Sequence, residues 1–331
     1  MKDVRDRMLH TLLRNRGDWV SGGDLSKDFG VSRVSVKNYV DQWVKEGYQI
    51  EAVRNRGYLL EKEPSCFHQA GVEYHSRALE LKGSLVCFEE LDSTNTELDR
   101  MLNAGAEAPI CVIAGRQSNG KGRRGNQWES DSNSNLYVSA GFRPNIEVTR
   151  MGSITLWVGL QLARLLRETY GIPCMVKWPN DLYVEGRKVA GILSEAKIDT
   201  DHVQHLIIGL GLNVNRSFRS SKGELKKKAT ALCEWVEGPL EFAPMAAKIC
   251  ECLMRSAQQY FSEILEDQIL EVWEEYDFLK DRKVVAKRPA NELEGTAKGI
   301  NSEGHLILEL ENGEMETVHS GEVTLRFDAN S

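Results

Sequence analysis

Apolar residues recur every three or four positions through residues 5–15, where Met8, Leu9, Leu12 and Leu13 mark one face of a helix that Gly17 ends. A short second helix after Ser21 presents Leu25 and Phe29. Gly30 makes the turn, and Ser32 is placed to cap a third helix over residues 33–46, whose inner face is Val36, Tyr39, Val40 and Trp43. Helix, glycine turn, helix is helix-turn-helix grammar. Strands expected at 48–53 and 57–61, joined through Arg54, Asn55 and Arg56, complete a wing.

Beyond residue 62 the pattern shifts toward strands. Residues 64–82 read as a linker with a short helix, and strands are expected at 85–91, 108–116, 136–142, 175–178, 183–185, 188–195 and 206–210. The pair around Gly186 forms a hairpin. Leu156, Leu160, Ala163 and Leu166 make residues 154–170 an amphipathic helix, and helices at 244–265 and 267–275 close this body. From 281 onward, strands at 283–287, 293–300, 305–310 and 314–318, punctuated by Gly304 and Asn312-Gly313, predict a small barrel. The chain therefore divides into 1–62, 63–276 and 277–331, with an α+β fold.

Composition agrees with this division: 331 residues, 41% hydrophobic and 27% charged, suit a soluble protein of two or three domains. No apolar run approaches the roughly 20 residues of a membrane span, and the charged N-terminus lacks a secretory core. A cytoplasmic protein without membrane association is expected. Its seven cysteines are odd in number and lack CxxC spacing, so reduced, mostly buried thiols are the default, and Cys250 and Cys252 receive no role. Residues 1–62 hold 12 Lys and Arg against 9 Asp and Glu, a net of +3, whereas the whole chain carries −7, which leaves −10 for the rest. That opposition has the direction expected of a nucleic-acid module. On this reading Ser32, Arg33, Ser35, Lys37 and Asn38 face a major groove, and Arg54 and Arg56 reach phosphates. A winged helix kept only for packing is the alternative.

The strongest chemical signal is the stretch GRQSNGKGRRGNQW at 115–128. Three glycines alternate with Lys121, Arg123 and Arg124, a loop suited to closing on a nucleotide or an acyl phosphate. Lys188 heads an apolar strand, VAGIL, where an inward lysine needs an anion to meet it. The seven histidines do not converge, and His202 and His205 read as a polar strand edge, so no metal site on the protein is expected.

DSTN at 92–95, the basic glycine loop, KWPNDLY at 177–183, GRKVAGILSEA at 186–196 and GLGLNVN at 209–215 resemble the biotin protein ligases in order and spacing. With the N-terminal unit, the resemblance is to the two-function form that is also the biotin operon repressor, and it covers almost the whole chain. It implies a central domain like class II synthetases, a mixed sheet with helices, and an SH3-like C-terminal barrel. It also implies ATP-dependent, magnesium-dependent formation of biotinyl-5′-AMP, transfer to a lysine of a biotin carboxyl carrier protein, and operator binding by a homodimer when biotinyl-AMP is bound. A lipoate or octanoate ligase, or a ligand-sensing transcription factor without ligase activity, are the rivals.

The resemblance assigns the biotin site to Ser93, Thr94, Asn95, Gln117, Gly120, Lys121, Gly122, Arg123, Trp128, Lys188 and Gly191. The nucleotide falls to Lys121, Arg123, Arg124, Trp128, Asn180, Asp181, Lys188, Asn213 and Arg326, with Lys188, Arg123 and Asp181 catalytic and Asp181 a candidate proton acceptor. Lys121 stands where the family usually has arginine, so Arg123 must carry more of the planar recognition. The glycines of GLGLNVN are expected to let the backbone pass close to the nucleotide. Residues 216–230 are expected to form a mobile loop over adenine, with Phe218 or Trp235 as an aromatic lid.

Overall fold

A computed structural model describes residues 4–79, 83–144, 146, 151, 153–199, 202–220, 223, 227–287, 291–319 and 322–325. The N-terminal unit is α1 (Val4–Arg14), β1 (Trp19–Val20), α2 (Gly22–Asp28), α3 (Arg33–Lys45), β2 (Gln49–Val53) and β3 (Gly57–Lys62), with sheet order β1-β3-β2. The predicted inner faces meet: Met8, Leu9, Leu12, Leu25, Val36 and Trp43 are buried in one core. Ser32 caps α3 by accepting the Ser35 N–H at 3.0 Å. Two-residue β1 was not expected, because so short a strand carries no periodicity.

The segment read as a linker is a joint. Its helix α4 (Gln69–Ala78) sends Ala70 and Tyr74 into the N-terminal core while packing against α7 (Phe242–Ser262) of the central body. Just before it, the fully buried Glu63 carboxylate receives His75 Nε2 at 2.8 Å and lies 3.6 Å from Arg16 Nη1. Arg16 in turn donates two bonds, of 2.7 and 2.6 Å, to Glu241 at the start of α7. Residue spacing gave no sign of this, since the partners lie up to 225 positions apart.

The body is a seven-stranded sheet of β4 (Ser84–Leu91), β5 (Ile110–Gln117), β6 (Leu136–Phe142), β7 (Cys174–Lys177), β8 (Asp181–Val184), β9 (Arg187–Asp199) and β10 (His202–Leu212). Its order is β4-β5-β6-β10-β9-β8-β7, antiparallel except for the β4–β5 pair. Strand alternation divides β5 between two layers: Ile110 and Val112 pack on Leu98 and Leu102 of α5 (Thr94–Asn103), and Cys111 and Ile113 face the core of α6 (Ile154–Tyr170) and α7. Covered on both faces, β5 and β6 read as apolar runs. Strands β9 and β10 are longer than predicted: their ends, Lys197 to Asp199 with His202 to His205, still pair although all but Val203 and His205 are exposed, a stretch too polar to read as strand.

After α8 (Glu266–Tyr276), strands β11 (Lys283–Lys287), β12 (Glu292–Ile300), β13 (Leu306–Glu309), β14 (Met315–Val318) and β15 (Glu322–Leu325) form an antiparallel sheet ordered β14-β13-β12-β11-β15, as in an SH3-like domain. The fifth strand was not predicted. Trp178 Nε1 donates to the Gly304 carbonyl at 2.9 Å and ties this domain to the body. Among the described residues no helix is long and apolar enough to cross a membrane.

Two cores joined at α4 predict two unfolding steps. Trp43→Ala, which empties the N-terminal core, should cost about 3–5 kcal/mol there. A scanning calorimetry trace with one transition lowered and the other unmoved is the expected result; a single shifted peak would show that the two cores melt as one.

Candidate active site

The β4–α5 junction, the loop after β5, the β7–β8 turn and strands β9 and β10 enclose a cavity of about 190 Å³. One end is neutral and hydrogen-bonding. Ser93 and Thr94 are buried there, at the start of α5. Gln117, delivered by β5, accepts from the Thr94 N–H at 2.8 Å and hydroxyl at 3.1 Å, and donates to Ser130 Oγ at 2.9 Å. Ser139 donates to Asn95 Oδ1 at 2.6 Å and lies 2.7 Å from the Thr94 hydroxyl, while Asn95 Nδ2 reaches Glu195 at 2.7 Å. Ser93 holds the N-cap position without a side-chain capping bond, so its hydroxyl is not used by the helix. Arg100 holds the neighbouring Asp92 carboxyl below the usual carboxylate range.

The other end is cationic. Lys121, Arg123, Arg124 and Lys188 line the cavity, and among its described lining residues Asp181 is the only acid. Arg123 Nη1 donates to Asn180 Oδ1 at 3.1 Å, and Asn180 Nδ2 donates to the Ile192 carbonyl at 2.7 Å, so the turn and β9 brace the arginine. Arg124 takes a left-handed backbone conformation, φ 56°, which helps fold the loop back. Lys121 pairs with Glu195 at 3.5 Å. Lys188 finds its anion within the protein: its Nζ is 2.7 Å from Asp181 Oδ1, an ion-pair distance without hydrogen-bond alignment, and its side chain stays about one-third exposed.

Trp128 forms a wall, with Lys188 Nζ 5.3 Å from its ring centroid and its indole N–H buried without a partner among the described residues. It lies on β10. A Cβ at Gly211 would stand 2.4 Å from Trp128 Cε2, and one at Gly209 would stand 2.1 Å from Asn95 Oδ1. These glycines therefore make room for protein side chains while their backbone lines the cavity. Gly191 and Gly122 also line the cavity; Gly120 sits beneath it, close to Trp128 O and Ser130 Oγ.

Other expected residues lie elsewhere. Asn213 is buried outside the cavity lining, where Nδ2 donates to the Thr230 carbonyl at 3.1 Å and its own carbonyl accepts from Leu232. Neither Phe218 nor Trp235 lines the cavity: Phe218 is buried, and Trp235 Nε1 bonds Thr230 Oγ1 at 2.9 Å. Both adjoin Glu234. Burial opposes the charge of that carboxyl, but the Phe218 N–H, Arg187 and Thr230 outweigh it and hold it below its ordinary range. Arg326 and parts of 216–230 fall outside the described residues. His205 is buried against Asp99 at 3.0 Å, whereas His202 is exposed. Sequence reasoning missed Ser130, Ser139 and Glu195; a serine inside the apolar run LYVSAGF was the available signal for Ser139.

On the N-terminal unit, Arg33, Lys37 and Asn38 are exposed on α3, with Ser35 half-buried. Ser32 is committed to the cap, Lys37 pairs with Asp41 at 2.9 Å, and Arg56 stacks 4.4 Å over Trp19, leaving Arg54 at the exposed wing tip.

Gly211→Val should displace Trp128 from β10 and destabilise the body by about 1–3 kcal/mol through overpacking. Urea unfolding with tryptophan emission as the readout checks this; an unchanged midpoint and spectrum would refute the packing.

A cavity neutral at one end and cationic at the other suits a ligand with an uncharged polar head and an anionic tail. The biotin/lipoate A/B protein ligase family model matches residues 87–213, an HTH domain model matches 4–59, and a biotin protein ligase C-terminal domain model matches 281–326. The chain is similar to the bifunctional ligase/repressor BirA of Bacillus subtilis, 28% identical over 97% of this chain and 98% of that one. It is 29% identical to the Escherichia coli protein of the same name, over 98% and 99% of the two chains. A biotin protein ligase from Aquifex aeolicus, solved in complex with biotin and ATP, matches with a TM-score of 0.60 at 26% identity, covering 74% of this chain and 99% of that one. The chain belongs to the biotin protein ligase family, in the form that carries an N-terminal helix-turn-helix domain.

Proposed function

We propose that the cavity joins biotin and ATP as biotinyl-5′-AMP and passes the biotinyl group to a lysine of a biotin carboxyl carrier protein. The polarity gradient of the cavity carries this reading. A ureido ring offers donors and acceptors to Ser93, Thr94 and Gln117, and the valerate carboxylate then points to Arg123 and Lys188. The ring end of lipoate, or the plain chain of octanoate, would offer no partner to the Ser93 hydroxyl, which does not cap its helix, or to the second Gln117 amide proton. A sensor without ligase activity would not need four cations around the reacting groups.

The carboxylate attacks the α-phosphorus, and charge builds on the phosphoryl oxygens as pyrophosphate leaves. Catalysis then rests on positioned cations. Arg123, braced by Asn180, grips the carboxylate and α-phosphate; Lys188 exchanges its Asp181 partner for the phosphate; Lys121 and Arg124 meet the remaining phosphate charge. Asn95, also on the cavity wall, positions Thr94 through Ser139. Trp128 and Gly191 cover the reacting centre. Asn213 acts through the backbone of 230–232 beside Lys188, whose carbonyl accepts the Thr230 N–H at 2.9 Å. Arg326 keeps the nucleotide-contact role that resemblance gives it. Magnesium would arrive on the nucleotide's phosphates, because the described residues hold no cluster of three metal-ligating side chains.

Lys188→Ala should lower biotin-dependent ATP–pyrophosphate exchange by about 100-fold or more. Exchange within a few-fold of wild type would remove Lys188 from the mechanism.

The N-terminal unit reads an operator with Arg33, Ser35, Lys37 and Asn38 in the major groove and Arg54 and Arg56 on phosphates, making the protein a biotin-responsive repressor. Seven cysteines without a disulfide fit a cytoplasmic setting. Adenylate neutralises the loop cations and favours a homodimer, so two recognition helices address half-sites about 34–36 Å apart. Biotin and ATP together should therefore tighten binding to operator-length DNA more than either alone, as read by sedimentation and fluorescence anisotropy. Ligand-independent binding would refute the coupling.

A further inference from the structure

We propose that the acceptor lysine reaches the adenylate through a second cavity and gives its proton to His305, an inference that rests on the ligase reading above. This cavity, also about 190 Å³, lies between the central sheet and the C-terminal domain. It shares Arg123 and Asn180 with the first, so their 3.1 Å hydrogen bond stands at the boundary between the two. Leu156, Trp178, Pro179 and Ile192 give it apolar walls suited to the four methylenes of a lysine. Its far side carries His305 and His319, with rings 4.3 Å apart in an edge-on pair. The Trp178–Gly304 hydrogen bond fixes the turn that bears His305 to the wall.

An acceptor lysine arrives as an ammonium, which cannot attack. Beside Arg123 and between apolar walls, like charge and desolvation loosen its proton. Asp181 lines the first cavity and not this one, so it does not face an amine that enters here. His305 is suited to it: its ring lines this cavity, Glu303 Oε2 stands 3.1 Å from Nδ1 at an ion-pair distance without hydrogen-bond alignment, and a neutral imidazole keeps one ring nitrogen as a proton acceptor. Among the described residues, the charged or titratable groups around the ring are Glu303, Arg123 across the cavity, and His319 after β14. The ammonium gives one proton to His305, and the freed nitrogen attacks the biotinyl carbonyl carbon. As the N–C bond forms, the C–O bond to phosphate breaks and AMP leaves with its electron pair. The second N–H proton passes to the AMP phosphate or to water.

The test separates the half-reactions. His305→Gln in the full-length protein should leave pyrophosphate exchange unchanged and slow single-turnover transfer to a carrier protein by about 100-fold at pH 7. The deficit should narrow as pH rises and more acceptor is already the free amine. Hydroxylamine, an amine already neutral at pH 7, should discharge the adenylate equally fast from both proteins. Unchanged transfer overturns the proposal, as does a deficit that ignores pH, a slower hydroxylamine reaction, or a parallel loss of exchange. A wild-type protein that makes no adenylate refutes the ligase reading instead.

Discussion

Lys121, Arg123, Arg124 and Lys188 around one small cavity repel one another, and much of the site is arranged to hold them there. Asp181 neutralises Lys188, Glu195 neutralises Lys121, and Asn180 braces Arg123. The partners differ in kind. A carboxylate can be exchanged for a ligand phosphate, whereas an amide braces the guanidinium by its geometry. The cavity is thus held by contacts that an anionic ligand can replace.

The neutral end follows the opposite rule. Its polar groups are largely satisfied by each other, through Gln117, Thr94, Ser139 and Asn95, and a satisfied network keeps rigid positions. Glycines on β10 make that possible, since any Cβ at Gly209 or Gly211 would fill the space of Asn95 or Trp128. One strand therefore sets the position of both the recognition end and the wall of the cavity.

The joint at α4 links the two activities physically. Tyr74 and Ala70 belong to the N-terminal core, while α4 packs on α7, and Glu63 gathers His75 and Arg16 at the boundary. A buried carboxylate is costly to leave unpaired, so these contacts favour one orientation of the helix-turn-helix over others. Movement between domains has to pass through this cluster.

The sequence determined what is local. Helical spacing fixed Met8 to Leu13 and Val36 to Trp43, capping chemistry fixed the start of α3, and the glycine-spaced cations marked their loop, because periods of two and 3.6 are properties of neighbouring residues. The motifs also identified the family. Tertiary structure alone decided which distant residues share a surface: that Asp181 meets Lys188 across paired strands, that Glu195 lies under Lys121, that the GLG glycines receive Asn95 and Trp128, and that Asn213 turns away from the cavity. It also placed His305 and Arg123 on the wall of one cavity. Strand order and register set those meetings, and they depend on how whole faces bury against one another, which no short window of residues encodes.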